Sequence, residues 1–106
     1  MGFLKRARDK IASAVHWCQG ARAKNAAGTS VEPDSPNAVQ WCSTGALLAV
    51  CGGPNDDYHI NRSKLYRASK DVCSGGGVIY VNDNTDHETV LKMFDLAIAS
   101  DTGVPA

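Results

Sequence analysis

Apolar residues recur at spacings of three and four along four separate stretches of this chain, and that period belongs to one face of a helix. Phe3, Leu4, Ala7, Ile11, Ala14, Val15 and Cys18 make the first stretch, with Lys5, Arg6, Arg8, Asp9 and Lys10 outside it. Gly20, at ease in a left-handed turn, predicts its end. Asp34-Ser35-Pro36 predicts the start of the second helix, because a serine caps free amides and a proline loses nothing at the first helical position. That helix should run to Cys51 with Val39, Cys42, Ala46, Leu47 and Val50 inward, widened by Trp41, Leu48 and Ala49, and Gly52-Gly53-Pro54 should stop it. Asn55-Asp56-Asp57 reads as the turn and cap before a third helix, Tyr58 to Val72, with Ile60, Leu65, Ala68 and Val72 inward. Thr85-Asp86-His87-Glu88 fits a capping box led by Thr85, ahead of a fourth helix that reaches Ser100 and buries Val90, Leu91, Phe94, Ala97 and Ile98.

The segments between these helices are short. Asn25-Ala26-Ala27-Gly28 reads as the turn of a small hairpin, and Val78-Ile79-Tyr80-Val81, β-branched and aromatic, reads as a strand or an extended buried segment. The expected fold is mainly α: a compact bundle of about four helices with one short strand or small hairpin. A chain of 106 residues supports one core, since two would leave each half near the limit of independent folding, so residues 1–106 are expected to form a single domain with 101–106 as a loose tail.

Eleven Lys and Arg balance eleven Asp and Glu, which removes any global attraction to a polyanion. The distribution is uneven: the first 25 residues are basic and the stretch after residue 74 is acidic, so the two ends should attract each other. Met1 to Lys10 is too charged for a signal peptide and no apolar run is long enough to span a membrane. A reducing cytosol is therefore expected, with Cys18, Cys42, Cys51 and Cys73 as free thiols packed like small hydrophobes.

Two dipeptides stand apart: Trp17-Cys18-Gln19-Gly20-Ala21, and Trp41-Cys42-Ser43-Thr44-Gly45-Ala46-Leu47. Their flanks do not match, so they are similar packing sites and not copies of a repeat. Together with Asn82-Asp83 and the helix carrying Val90-Leu91 through Ala97-Ile98, they make the chain resemble a family of small bacterial and phage proteins of unknown function. The resemblance covers most of the chain, with little from Gly52 to Gly77. It implies a shared fold and carries no activity.

A thiol hydrolase or amidase needs a thiolate, a base and an orienting group, and Cys18 or Cys42, His87 and Asp83 or Asn82 supply those types. Against it, His87 falls in the first turn of a helix and Cys42 on an apolar face, which work against the base and the thiolate respectively. No Cys-x-x-Cys pair accompanies His16, His59 and His87, so no metal is called for. Gly75-Gly76-Gly77 precedes its element and is not followed by Gly-Lys-Ser or Gly-Lys-Thr, and the stretch from Asp83 has Glu88 where a calcium loop needs glycine, so neither points to a cofactor. Arg62, Lys64, Arg67 and Lys70 give the third helix a basic face that, with the first helix, supports a nucleic-acid alternative without any means of reading bases. Trp17, Gln19, Trp41, Asn82 and Asp83 are the residues expected to line a shallow binding site at the edge of the core. The reading that results is a small cytosolic interaction or regulatory module whose partner is a protein, such as a host protein modulated by a phage.

Overall fold

The computed structural model of the protein describes residues 2–74 and 76–101. Among these, five helices run in the order α1 (Phe3–Lys10), α2 (Ser43–Cys51), α3 (Asp56–Val72), α4 (Val78–Asn84) and α5 (His87–Asp101). Between α1 and α2 lie β1 (Ala23–Lys24) and β2 (Gln40–Trp41), an antiparallel pair with Ala23 opposite Trp41 and Lys24 opposite Gln40. α1 packs along α2, α3 along α5, and α4 is wedged against α2, α3 and α5. Every helix contributes to one core, in which Phe94, Leu4, Ile11, Leu47, Leu65 and Met93 are the largest side chains fully removed from water. Each such side chain contributes roughly 1.5–3 kcal/mol of transfer free energy. No helix among the described residues is long and apolar enough to cross a membrane.

The mainly helical architecture follows the apolar period, but three elements depart from it. The first helix ends at Lys10 instead of running toward Gly20. Ser13 is extended, Ala14–His16 form a single 3-10 turn, and Val15 is 68 % exposed. The apolar pattern past Ile11 is therefore not a buried face. What replaces helical bonding there is tertiary: Trp17 pairs with Trp41 in a parallel bridge, and the Cys18 amide donates to the Trp41 carbonyl.

The second helix begins at Ser43, seven residues after Pro36. Ser35 does act as a local cap, its hydroxyl accepting from the Asn37 amide, but only one turn forms before the chain extends into β2. The true cap is Cys42, whose Sγ accepts from the Gly45 amide at 3.3 Å. At its other end Gly52 is left-handed, with φ 81°, and the amides of Gly52 and Gly53 both donate to the Leu48 carbonyl, which is how the Gly-Gly-Pro stop works.

Val78–Val81 is helical, not extended. Val78, Val81 and Asn82 are buried while Ile79 and Tyr80 are about half exposed, an i, i+3, i+4 pattern that overrides the β propensity of the side chains. The Asn25–Gly28 turn does fold back, since Lys24 bridges Ser30 and the Val31 amide donates to the Ala23 carbonyl, although the regular partner of β1 is β2.

α3 starts two residues before Tyr58: Asn55 is the cap and accepts from the Tyr58 amide, and Asp56 and Asp57 lie in the first turn, favourable to the helix dipole. Asn61 is buried in place of Ile60, which is 54 % exposed. The opposite charges of the two ends meet as an Arg8–Asp95 ion pair of 2.5 Å between α1 and α5. Of the tail expected over 101–106, Asp101 belongs to α5, and residues 102–106 lie outside the described residues.

The cap of α5 is Asp86 instead of Thr85, whose hydroxyl donates back to the Val81 carbonyl. Hydrogen bonds from the Thr89 side chain and amide hold the Asp86 carboxyl below its ordinary value of 3.8. A depressed carboxylate pKa contributes stability above the unfolded-state value and loses it as pH falls through the folded-state value. The midpoint of thermal unfolding of the natural protein should therefore exceed that of an Asp86→Asn variant above pH ~5, and the gap should close on acidification below pH ~4. A pH-independent gap would assign the cap no ionic component.

Candidate functional site

The two Trp-Cys segments, far apart in sequence, lie side by side, and the buried side chain of Asn82 on α4 ties them to the start of α2. Its Oδ1 accepts from Trp17 Nε1 at 2.8 Å, from the Ser43 amide at 2.9 Å and from the Ser43 hydroxyl at 2.8 Å. Its Nδ2 donates to the Cys18 carbonyl and to Asp83 Oδ1, each at 3.0 Å. Gln19 Nε2 bridges the carbonyls of Asn82 and Thr85, and the Gly20 amide donates to Asp83 Oδ1. Trp17, Gln19, Asn82 and Asp83 are therefore brought together. Trp41 hydrogen-bonds to the knot through its backbone, while its indole donates to the Pro33 carbonyl at 2.9 Å and its face lies under the Lys10 ammonium at 4.1 Å. Ser43 is the member sequence reasoning missed, because it read as helix interior.

An amide side chain offers two donors and one oxygen acceptor, and every one of these is engaged on Asn82. This arrangement clamps three segments together and keeps no polar atom of Asn82 for a ligand.

The candidate thiols are poorly placed for nucleophilic work. Burial first, then Cys42 and Asp83, push the Cys18 thiol up to about 11 against the pull of Lys24. Cys51 is raised too, by burial and then by Asp57. Cys42 uses its sulfur as a helix cap and lies 3.3 Å from the Thr44 hydroxyl. His87 Nε2 meets the Ile11 carbonyl at 2.6 Å, so that nitrogen carries the proton, and its ring rests against Trp17 at 5.4 Å between centroids. Among the described residues no hydrogen bond joins His87 to Cys18 or Cys42, and no three His, Cys, Asp or Glu side chains converge as metal ligands.

The basic face of α3 is two faces. At about 100° per residue, Arg62 and Lys64 point roughly 200° apart. Arg62 turns toward α2 and α4, whereas Lys64 and Arg67 line a hollow beside Asp71, Leu96 and Ser100 of α3 and α5, and Lys70 lies over the Tyr66 ring at 4.7 Å. On α1, Lys5 pairs with Asp9 and Arg8 with Asp95, which offsets part of that helix's positive charge.

A concavity lies where Arg62 points. A groove of about 550 Å³ is walled by Leu48, Tyr58 and Ile79, with Arg22 and Arg62 and the carboxylates of Glu32 and Asp34 also lining it. Arg22, Thr44 and Ile79 also line a smaller cavity of about 170 Å³ that reaches Cys42, Ser43 and Asn82. Ile79 on the groove wall is 55 % exposed, and Tyr80 at 51 % and Tyr66 at 44 % add exposed apolar surface outside the lining. This face is not legible in the sequence, where Val78–Val81 reads as a strand or an extended buried segment and Asp34 as part of a helix start.

The chain belongs to a family of unknown function, DUF6197, whose model matches residues 2–100. No curated protein and no solved structure matches it.

Proposed function

We propose that this protein is a small binding module that takes a segment of another protein into the groove between α2, α3 and α4. The observation that carries the reading is the apolar wall of Leu48, Tyr58 and Ile79 flanked by charges of both signs and continued by exposed Tyr80. Its volume of about 550 Å³ falls in the range of roughly 300–1,000 Å³ typical of ligand sites. A polypeptide carries apolar, cationic and anionic side chains and can meet all three linings, whereas a nucleic-acid backbone meets Arg22 and Arg62 only at the cost of facing Glu32 and Asp34. A thiol hydrolase is supported less well, because a thiol near 11 is almost wholly protonated at neutral pH. The module is cytosolic and regulatory in this reading, and the resemblance to small bacterial and phage proteins makes a host protein the partner.

Ile79→Asp tests it, since a side chain 55 % exposed can be exchanged without emptying the core. A protein captured stoichiometrically by the natural chain should bind the variant at least ~10-fold more weakly, as expected for an apolar anchor, while Lys92→Glu on α5 should bind normally. Equal binding by Ile79→Asp would remove the groove from the interaction. Capture abolished by nuclease and declining steeply with salt would transfer the function to nucleic acid.

A further inference from the structure

The groove leaves the paired Trp-Cys motifs unused. Where they cross, Trp17 and Trp41 form a parallel bridge and the Cys18 amide donates to the Trp41 carbonyl at 3.1 Å, so Cys18 and Cys42 follow the two tryptophans in the same register. Paired strands lie about 4.8 Å apart and residues in register point to the same side. That spacing falls inside the window of roughly 4.4–6.8 Å between Cα atoms that a disulfide spans. Both residues are buried, and Cys42 is close enough to act on Cys18 electrostatically, second only to burial in raising its thiol. The cavity of about 170 Å³ is lined by Cys42 together with Arg22.

We propose that Cys18 and Cys42 are a latent disulfide, closed by small-molecule disulfides and reopened by thiols, that locks the segment Trp17–Gly20 onto the start of α2. The closing reaction is thiol–disulfide exchange. One cysteine loses its proton and its sulfur attacks the small disulfide, breaking that S–S bond and expelling one thiolate. The second cysteine, deprotonated in turn, attacks the mixed disulfide and expels the other half. Two S–H bonds are lost, one S–S bond forms, and the small disulfide is reduced to two thiols. The elevated Cys18 pKa makes the exchange slow at neutral pH and faster by up to about tenfold per pH unit where Cys18 is the attacking thiol. Cys51, at the far end of α2, and Cys73, after α3, have no such partner in register. The inference is independent of the groove.

The test incubates the folded full chain in glutathione and oxidised glutathione buffers at pH 8, quenches with acid, and reads intact mass and peptide maps. We expect loss of two hydrogens with no glutathione retained, one Cys18–Cys42 cross-linked peptide pair, and a thermal midpoint higher by roughly 10 °C. A Cys51→Ser/Cys73→Ser double variant should behave identically, and Cys18→Ser should stop at a mixed disulfide or stay reduced. If Cys18→Ser does not fold, the double variant decides alone. Cross-links or adducts on Cys51 or Cys73 with Cys18 and Cys42 still reduced, or closure only after denaturant is added, would overturn the proposal.

Discussion

Gly45→Ala should lower stability by about 4 kcal/mol or leave the chain unfolded, which makes it one of the most damaging single methyl groups that can be added to this protein. Helix propensity alone predicts the reverse, since alanine inside a helix is favoured over glycine by about 1 kcal/mol. The reversal comes from what lies against the helix. A Cβ on Gly45 would meet the Arg22 carbonyl oxygen at 1.8 Å and its carbon at 2.7 Å. Those are backbone atoms, and they cannot retreat: the same carbonyl accepts from the Cys42 amide at 3.0 Å, and the next residue, Ala23, is paired with Trp41 in the sheet. Relief therefore requires α2 to lift off β1, breaking the Cys42 contact and the Ser43–Asn82 bonds beside it. With a typical domain stability of roughly 5–15 kcal/mol, that loss is readable in a urea titration. A variant as stable as the natural chain would mean that β1 and α2 do not touch at this point.

Gly45 also illustrates what a sequence read alone conveys. As Trp-Cys-Ser-Thr-Gly-Ala it read as helix interior; only the crossing of β1 explains why a glycine is there. Elements governed by local rules were legible: α3 from its Asn55 cap and acidic first turn, α5 from its apolar period, the end of α2 from Gly52-Gly53-Pro54. Elements governed by contacts between distant residues were not. The apolar spacing of Ala14, Val15 and Cys18 continues that of α1, yet the Trp17 amide closes a single 3-10 turn on the Ala14 carbonyl and the next amide, that of Cys18, bonds to the Trp41 carbonyl instead of continuing a helix. Val78–Val81 has strand composition, yet one face of a helix suffices to bury its valines.

The candidate site was legible to the same degree. Trp17, Gln19, Asn82 and Asp83 stand out in the sequence as motif residues, and the fold brings them together. Their role was harder to see, because a saturated amide and a binding amide are the same residue in a sequence. The groove was invisible in it: Arg22, Glu32 with Asp34, Arg62 and Ile79 come from four places whose proximity depends on β1, α3 and α4 all being positioned.

Asn82→Ala should cost about 3–5 kcal/mol, well above the ~1 kcal/mol of a typical mutation, because it orphans several groups at once. Trp17 Nε1–H, the Ser43 amide and the Ser43 hydroxyl all lose one acceptor, and the Cys18 carbonyl loses a donor, in a region where Asn82 itself is 1 % exposed. Loss of packing alone would be matched by any small residue, so the informative comparison is Asn82→Asp, which keeps the volume and the accepting oxygen. It turns the donor that met the Cys18 carbonyl and Asp83 Oδ1 into a second acceptor, and when ionised it places a buried negative charge beside Asp83. Burial and the neighbouring carboxylate both favour the neutral acid, so the introduced carboxyl should have a folded-state pKa above its unfolded ~3.9. The folded state then holds its proton more tightly, and stability must fall as pH rises through that interval and recover on acidification. Urea midpoints at pH ~5 and ~7.5 should therefore converge toward the natural protein at the lower value and separate at the higher one, whereas Asn82→Ala should be equally weak at both. If Asn82→Asp were instead unaffected by pH, Nδ2 would not be the donor that holds Trp17–Gly20 against α4, and the clamp would reduce to its contacts with Trp17 and Ser43.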